Sequence, residues 1–444
     1  MPGAWPLLGH AVVLLRDPLG FLRSLPEHGD LVAVRLGRVR AVFVCSPELV
    51  QQVLRDDRTF DKGGPLFDRL RETTGDGLGS CPHAAHRRQR RLVQPAFNRS
   101  RLPGYGRVLT GQVEGVTASW DDGGTVDIVA EMRELSTAIL LGTVFSAESL
   151  PSPLALPGAG ADLRTVVAGI GARTVLPPAL AGVALPGSRR YFLARDRLRR
   201  FAGDIVAARR GGDGGDDGDL LSALLAAGDP DSGRGLSDTE LVDQVVTMFV
   251  GGIDTTAATM AWMLHSVAGR PDIARRLQAE ADTVLAGRAP SVQDLPALSL
   301  ARQVVTETLR LHPVVWIVTR TVTADTVLGG HPVSAGTVVA FSPYLIHQRA
   351  DCYPDADVFD PDRWGPGRTP PDRHAFLAFG DRARSCVGNG LAQAEAVMTL
   401  AAVASRWNLH PVGGGPVRPT RAAVMSPRGL RLRVTARTDT DSRR

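Results

Sequence analysis

Residues 379–388 read FGDRARSCVG and place one cysteine, Cys386, just before a segment rich in helix-forming residues. That segment, residues 389 to about 407, has apolar side chains at helical spacing and predicts an α-helix. Cys386 then lies at a helix N-terminus, where free N–H groups and the positive end of the helix dipole stabilise an anion. Such an environment favours the thiolate, the form of cysteine that binds metal. These features make Cys386 a candidate metal ligand, although a lone cysteine is by itself more often a small buried hydrophobe.

The stretch resembles the haem-binding loop of the cytochrome P450 superfamily, Phe-x-x-Gly-x-Arg-x-Cys-x-Gly. Four positions match that pattern: Phe379, Arg384, Cys386 and Gly388. The resemblance implies haem b as the cofactor, with Cys386 as the axial ligand of its iron and Arg384 against a haem carboxylate. Arg382 stands where the family has glycine, and a residue other than glycine is costly there if φ is positive.

A second match lies at residues 86–92, a segment dominated by arginine. On a helix, His86 and Arg90 are four residues apart and share one face. The arginine run alone fits a solvated basic face. In the resemblance, however, His86, Arg90 and Arg320 occupy positions that bind the haem propionates, which need charged or hydrogen-bonding partners when they are buried.

A long helical pattern begins with the capping box Ser237-Asp238-Thr239-Glu240 and continues to Gly269. A helix of about 32 residues is roughly 48 Å long and can cross a whole molecule. The pair Gly251-Gly252 lies in its middle, although each glycine costs a helix roughly 1 kcal/mol. Two explanations remain open. Either a helix crossing requires small residues there, or the helix passes over a flat cofactor and opens to admit oxygen and water.

Asp254 and Thr255 follow this pair and resemble the acid and the alcohol of the family's oxygen-activation motif. The resemblance implies that Asp254 relays protons and that Thr255 steadies the activated oxygen and the water beside it. Because an anionic thiolate on iron favours O–O cleavage, the implied activity is that of a monooxygenase. Two alternatives are a non-oxygenating haem-thiolate enzyme and a haem-binding sensor or carrier without turnover.

Glu307 and Arg310 lie three residues apart on a predicted helix that begins near residue 297, so they can form an ion pair. Such pairs are common on protein surfaces. This one matches the family's Glu-x-x-Arg, which a later arginine, Arg363, completes. The implied role is structural, as a buried charge network that fixes the loops beneath the haem.

The sequence as a whole indicates a mainly α-helical fold with a small β-rich subdomain. Segments 31–36 and 41–44 are rich in β-branched residues and predict a hairpin. The resemblance implies a single P450 domain over residues 1–444, with the β-rich part at about 1–60 and 313–345 and a loose tail at about 439–444. The haem is expected between the long central helix and the helix that follows Cys386.

Segment 60–79 contains Gly63-Gly64-Pro65 and Gly75-Asp76-Gly77 and predicts a loop. A surface loop is the simpler interpretation. In the resemblance, this loop folds over the substrate pocket. The candidate lining residues from the loop, the central helix and the segment after residue 313 are Leu66, Phe67, Leu70, Gly251, Val315, Trp316 and Ile317.

The composition restricts the class of protein. The net charge is +5, and Lys62 is the only lysine, a skew towards arginine that is typical of GC-rich actinobacterial genomes. The arginines are scattered, which argues against nucleic-acid binding. The four cysteines are widely spaced and fit a reducing cytosol rather than a zinc site or a disulfide framework. The N-terminal apolar run 11–15 is too short for a bilayer span, which takes roughly 20 residues, so no membrane anchor is expected.

The expected partners also follow from the resemblance. They are a separate ferredoxin and its reductase, O2 and a small apolar substrate, for a monomeric cytoplasmic enzyme. Segments 60–65, 81–97 and 342–347 resemble those of actinobacterial P450s that oxidise sesquiterpene hydrocarbons in secondary metabolism. An apolar lining suits a hydrocarbon, but most members of the family have one. Macrolides, polyketides and fatty acids therefore remain alternative substrates.

Overall fold

The structure is a computed structural model, which describes residues 5, 8–37, 39–145, 156–174, 188–211, 218–368, 372–420 and 422–438. Most of the described chain is helical and the sheets are small, which confirms the predicted fold class. The predicted loose tail at 439–444 lies outside the described residues. The assignment of the whole chain to one domain stays a prediction.

The helices are numbered in chain order. They are α1 Ala11–Arg16, α2 Pro18–Ser24, α3 Pro47–Arg55, α4 Pro65–Thr74, α5 His83–Val93, α6 Leu102–Ala118, α7 Ile128–Val144, α8 Leu156–Thr174, α9 Ser188–Gly211, α10 Leu220–Ala226, α11 Asp238–Ala268, α12 Pro271–Leu285, α13 Ser299–Leu311, α14 Pro343–His347 and α15 Asn389–Arg406.

The strands are short. They are β1 Leu31–Leu36, β2 Val39–Val44, β3 Phe60–Asp61, β4 Thr125–Asp127, β5 Val318–Val322, β6 Thr326–Leu328, β7 His331–Val333, β8 Val338–Phe341, β9 Trp407–Pro411 and β10 Arg431–Ala436. A five-stranded sheet has the order β1-β2-β8-β5-β3, and β1 and β2 form the predicted antiparallel hairpin. This sheet joins strands from the two separated segments that were expected to form one β-rich part. A second sheet, β4-β10-β9, was not predicted.

The long central helix α11 begins with the predicted capping box. The Ser237 hydroxyl accepts from the N–H of Glu240 (3.2 Å), and the Glu240 carboxylate accepts from the N–H of Ser237 (2.9 Å). The helix is continuous for 31 residues, so an opening of the helix, one of the two explanations for the glycine pair, is not observed. A Cβ atom added to Gly252 would lie 3.3 Å from Leu140 on α7, whereas one added to Gly251 would meet nothing within 4 Å. The close approach of α7 thus explains the glycine at 252, whereas Gly251 leaves open space beside the helix.

The expectation of a loop over residues 60–79 is wrong, because helix α4 occupies its middle. Gly64 has φ +87° and turns the chain, and Pro65 then takes the first helical position, where its fixed φ is favourable. Gly75, with φ +57°, ends the helix. The residues interpreted as loop signals are the start and stop signals of a short helix.

The described residues form two large clusters of buried apolar side chains and two small ones. The largest cluster surrounds α11 and includes Val245, Met260 and Leu264. The second packs under the five-stranded sheet and includes Phe43 and Phe341.

Candidate active site

A cavity of ≈ 490 Å³ lies between α11 and the loop that precedes α15. Gly251 and Thr255 line it from α11, and Cys386 lines it from the loop. Apolar side chains make up much of the remaining wall: Leu66, Phe67, Leu70, Leu140, Val167, Ile170, Met248, Val250, Leu309, Val314, Leu377 and Leu391. The one cysteine that the sequence singles out therefore faces a space enclosed largely by apolar residues.

Cys386 is held by its backbone, since its N–H donates to the carbonyl of Phe379 (2.8 Å). Its side chain is exposed, but to the cavity that it lines. A Cβ atom added to Gly388 would lie 4.0 Å from the Cys386 sulfur, so this glycine leaves room beside it. The geometry suits a sulfur that binds a ligand in the cavity.

The helix N-terminus was expected to lower the pKa of Cys386. For the polypeptide on its own this expectation is wrong, because the pKa is raised. Burial raises the pKa of the Cys386 thiol. The backbone N–H groups of Gly388 and Asn389 and the Arg90 guanidinium lower that pKa, as expected, but they only partly offset the burial. Metal binding displaces the proton of a thiol, so the sulfur becomes a thiolate when iron is bound.

Basic side chains line one region of the cavity wall, namely Lys62, His86, Arg90, Arg320 and Arg384. Of the four predicted propionate ligands, Arg384 is the one with protein carboxylates as partners. Its Nε donates to Asp57 (2.8 Å) and its Nη2 to Asp61 (2.9 Å). Arg90 donates instead to the carbonyl of Ser385 (2.5 Å), next to Cys386. These contacts tie the basic wall to the cysteine loop.

Arg320 and His86 are buried in this wall. Arg320 donates to its neighbour's carbonyl, at Thr319 (2.8 Å), and its guanidinium lies 5.9 Å from the ring of Phe67. Burial, with the adjacent Arg384, lowers the pKa of Arg320 to about 10. Burial and the charges of Arg384, Lys62 and Arg90 lower the pKa of His86 to about 3. His86 is therefore neutral unless an anion enters the cavity.

The charges of this wall test whether a haem fits. Within the described residues, Lys62, Arg90 and Arg320 form no ion pair with a carboxylate. Cations that face a low-dielectric space without counter-ions are unfavourable, and bound anions relieve that cost. A flat apolar ring with two carboxylates and a metal would satisfy the apolar wall, the cations and the sulfur together. The residues present therefore fit haem.

Thr255 and Asp254 occupy different environments. Thr255 lines the cavity, and its hydroxyl donates to the carbonyl of Gly251 (2.6 Å). Asp254 is buried and is not part of the cavity wall; its Oδ1 accepts from Arg133 Nε (2.7 Å) on α7. Sequence analysis missed Arg133, because nothing local connects it with a residue 121 positions later.

Comparison with known proteins identifies the family. The family model named Cytochrome P450 matches residues 1–434.

The chain belongs to the cytochrome P450 family.

Two characterised relatives of this P450 come from Streptomyces. It is 42% identical to pentalenene oxygenase of Streptomyces avermitilis over 98% of this chain and 97% of the relative. It is 43% identical to cyclooctat-9-en-7-ol 5-monooxygenase of Streptomyces melanosporofaciens over 93% and 90% of the two chains. The chain is thus a cytochrome P450 monooxygenase.

The fold agrees with a solved structure. The heme domain of cytochrome P450DA superposes with a TM-score of 0.89, covering 99% of this chain and 98% of that domain at 23% identity. None of the helices described for this P450 combines the length and apolar character needed to cross a bilayer.

The predicted substrate-lining residues lie on the cavity wall with one exception. Leu66, Phe67, Leu70, Gly251, Val315 and Ile317 line it. Trp316 is not part of the wall of the cavity, and its indole N–H donates to the carbonyl of Ala422 (3.0 Å). The chain bends at residues 314 and 315 before β5 begins at Val318, and Trp316 is directed away from the cavity that its two neighbours line.

The predicted charge network surrounds a fully buried ion pair. Glu307 and Arg310 are 0% exposed, and two guanidinium nitrogens of Arg310 donate to the carboxylate at 2.8 and 2.9 Å. The Arg363 Nε lies 3.5 Å from Glu307. Sequence analysis missed Trp364, whose indole N–H donates to Glu307 (2.8 Å). The carboxylate thus contacts two arginines and an indole inside the protein.

His347, another residue that sequence analysis missed, connects this network to the cysteine loop. Its Nδ1 is 2.9 Å from the Arg310 carbonyl, and its Nε2 accepts from the N–H of Leu377 (2.8 Å). Burial lowers the pKa of His347 to about 3, so the ring is neutral. A neutral ring can donate through Nδ1 and accept through Nε2 at the same time. Because Leu377 leads into Phe379, the contact helps to fix the position of Cys386.

Glu395 on α15 is a further missed residue on the cavity wall. The hydroxyl of Ser136 donates to its carboxyl group (2.6 Å), and burial raises the pKa of Glu395 to about 7. Glu395 lies nine residues after Cys386, and apart from the helix pattern nothing in the nearby sequence indicated that it lines the cavity.

Arg382 adopts the positive φ anticipated from the family's glycine, at +57°. We expect Arg382→Gly to melt about 1–3 °C above Arg382→Ala, because a left-handed residue with a Cβ costs about 1–2 kcal/mol. Both variants lose the bond from Arg382 Nε to Gln51 (3.0 Å). The difference between their melting temperatures therefore isolates the free-energy cost of a Cβ atom on the left-handed backbone at residue 382. Thermal unfolding of the two haem-loaded variants checks this, and equal melting temperatures would contradict it.

Proposed function

We propose that this P450 hydroxylates or otherwise oxidises an apolar terpene in secondary metabolism, with a sesquiterpene hydrocarbon as the first candidate. The observation that carries the proposal is the cavity, whose largely apolar wall also contains Cys386 and Thr255. The relatives support the substrate class, because pentalenene is a sesquiterpene hydrocarbon. A hydrocarbon makes no hydrogen bonds, so an apolar wall that excludes water suits its binding.

The proposed cofactor is haem b. Cys386 would hold its iron, and the basic residues His86, Arg90, Arg320 and Arg384 would hold its propionates. Haem with a thiolate ligand supplies the activation of O2. Of the proposed propionate ligands, Arg90 and Arg320 have no carboxylate partner in the described chain. A propionate should therefore stabilise these two arginines more than Arg384, which is already paired. A propionate beside His86 would also raise the pKa of that imidazole from about 3.

Thr255 and Asp254 would deliver protons to the cavity. The Thr255 hydroxyl is the group on the wall, and rotation about χ1 exchanges its bond to Gly251 for one to a water in the cavity. Asp254 is adjacent in sequence but paired with Arg133, whose side chain is 30% exposed. The carboxylate can take a proton from bulk water and pass it on when this ion pair opens. Arg133 is thus proposed to regulate when Asp254 is available.

Thr255→Ala should separate O2 consumption from product formation. We expect electron uptake to continue while product per O2 falls by about tenfold or more, because a positioned proton donor contributes about 10²–10⁴-fold to such a step. Product and peroxide are measured against O2 consumed with ferredoxin and its reductase.

Thr306→Ala is the matched control for this variant. The Thr306 hydroxyl makes the same kind of bond to the carbonyl four residues earlier, at Arg302 (2.8 Å), on a helix surface outside the cavity. Unchanged coupling in Thr255→Ala would contradict the proposed role of this hydroxyl in proton delivery.

Ferredoxin is the proposed electron donor, and the enzyme is proposed to be a cytoplasmic monomer. The net charge of +5 favours an acidic partner. Arg99 and Arg382 are exposed beside the cysteine loop and the start of α15, which suits docking near Cys386. All four cysteines are free, as expected in a reducing compartment.

Turnover under ¹⁸O2 tests the proposed function. The haem-loaded enzyme, ferredoxin, its reductase and NADPH are supplied with pentalenene, a macrolide or a fatty acid. An ¹⁸O-labelled alcohol or carbonyl compound from pentalenene alone supports the proposal. A labelled product from another member of the panel keeps the monooxygenase and rejects the terpene. A haem-loaded protein that consumes no NADPH in response to any substrate would be a sensor or carrier.

A further inference from the structure

The single lysine of the chain occupies an unusual position. Lys62 directly follows β3, and it lines the cavity beside the other basic residues. Its ammonium group donates to the carbonyls of Leu78 (3.0 Å) and Gly79 (2.7 Å). An ammonium group has three N–H bonds, so one remains for a further acceptor.

The groups that face Lys62 leave its charge uncompensated. Arg384 and Arg320 are cations on the same wall, and they repel it. Asp61 and Cys81 are the neighbouring acidic groups, but the Asp61 carboxylate is bound to Arg384 (2.9 Å) and burial raises the pKa of the Cys81 thiol. Burial, with these two cations, lowers the pKa of Lys62 to about 7. A compact, strongly hydrated ammonium is costly in this environment without an anion.

We propose that Lys62 binds a haem propionate and thereby ties the cofactor to the wall of the substrate cavity. The inference rests on the proposed haem b cofactor. The two carbonyls that Lys62 holds follow α4, and α4 supplies Leu66, Phe67 and Leu70 to the cavity wall. One ammonium group thus joins the propionate to the segment that packs against substrate. Lys62 is a cofactor-binding and positioning residue in addition to the four basic residues predicted from sequence.

The alternative is a purely structural lysine that satisfies two carbonyls. Lys62→Gln and Lys62→Arg separate the two roles, because glutamine can donate to a carbonyl without charge and arginine keeps the charge. We expect haem to leave the Gln variant at least about tenfold faster than the wild type, with apomyoglobin as the acceptor. The ferric/ferrous midpoint potential should also fall, since a positive charge near the haem is lost. The Arg variant should stay close to the wild type in both measurements.

If the variants do not fold, a second measurement on the wild-type protein tests whether Lys62 binds a propionate. Lysine labelled with ¹³C gives one lysine side-chain signal in the wild-type protein, because Lys62 is the only lysine. In the reduced carbon-monoxide complex, which is diamagnetic, this signal should titrate well above pH 7, since a propionate stabilises the ammonium. A midpoint near 7, or wild-type haem release and potential in Lys62→Gln, would overturn the proposal. The thiolate-type spectrum of the same sample shows separately whether the haem-thiolate assignment holds.

Discussion

Cys386→Ala is expected to abolish the red-shifted, thiolate-type absorption band of the reduced carbon-monoxide complex, together with all monooxygenase turnover. The electron density that a thiolate supplies to iron has no substitute in alanine. Among the described residues, Cys386 is the only cysteine on the cavity wall, so no other thiol there can replace it. Absorption spectra of the reduced protein before and after addition of carbon monoxide measure the effect directly.

Cys352→Ala is the control for this substitution. Cys352 is also a free, partly exposed cysteine, and it lies outside the cavity. This variant should keep the thiolate-type band at wild-type intensity. Retention of the band in Cys386→Ala would contradict the ligand assignment, whereas its loss in both variants would point to general destabilisation.

The second large effect is expected from Glu307→Gln. The substitution preserves the shape of the side chain but removes the charge that compensates Arg310, and both residues are fully buried. Removing one partner of such a pair costs about 3–5 kcal/mol, because the other charge stays buried. We expect a large decrease in melting temperature and a low fraction of haem-loaded protein after expression. Scanning calorimetry and the haem-to-protein absorbance ratio measure both.

Asp196→Asn provides the matched control, since Asp196 forms a surface pair with Arg195 and is 52% exposed. Exposed pairs contribute about 0–1 kcal/mol, so this variant should unfold at nearly the wild-type temperature. If Glu307→Gln also unfolded at nearly the wild-type temperature, the buried network would not be what stabilises the loops beneath the haem.

The sequence predicted elements whose determinants are local. The capping box at Ser237 and the helix after Cys386 depend on residues within one or two turns, and both are present. Helix α4 was missed because Gly64 and Pro65 occur both in loops and at helix starts, and local sequence does not separate the two cases.

The site was predicted less completely, because its geometry depends on distant parts of the chain. The Arg133–Asp254 pair, the contacts of His347 with Arg310 and Leu377, and the bond from Ser136 to Glu395 all join residues far apart in sequence. Local periodicity contains no information on such pairs. Cys386, Thr255 and the basic residues were singled out by the spacing of motifs that resemble a known family, and these residues line one cavity.

A spectroscopic titration of the ferric protein tests the haem-thiolate site and the terpene substrate in one experiment. Purified, haem-loaded enzyme is titrated with pentalenene, a macrolide and a fatty acid while its absorbance is recorded. Substrate that enters the cavity would displace water from a haem iron held by Cys386, and the resulting change of spin state would be visible in the absorbance. We expect a saturable shift with pentalenene alone. A saturable shift with the macrolide or the fatty acid, and none with pentalenene, would contradict it.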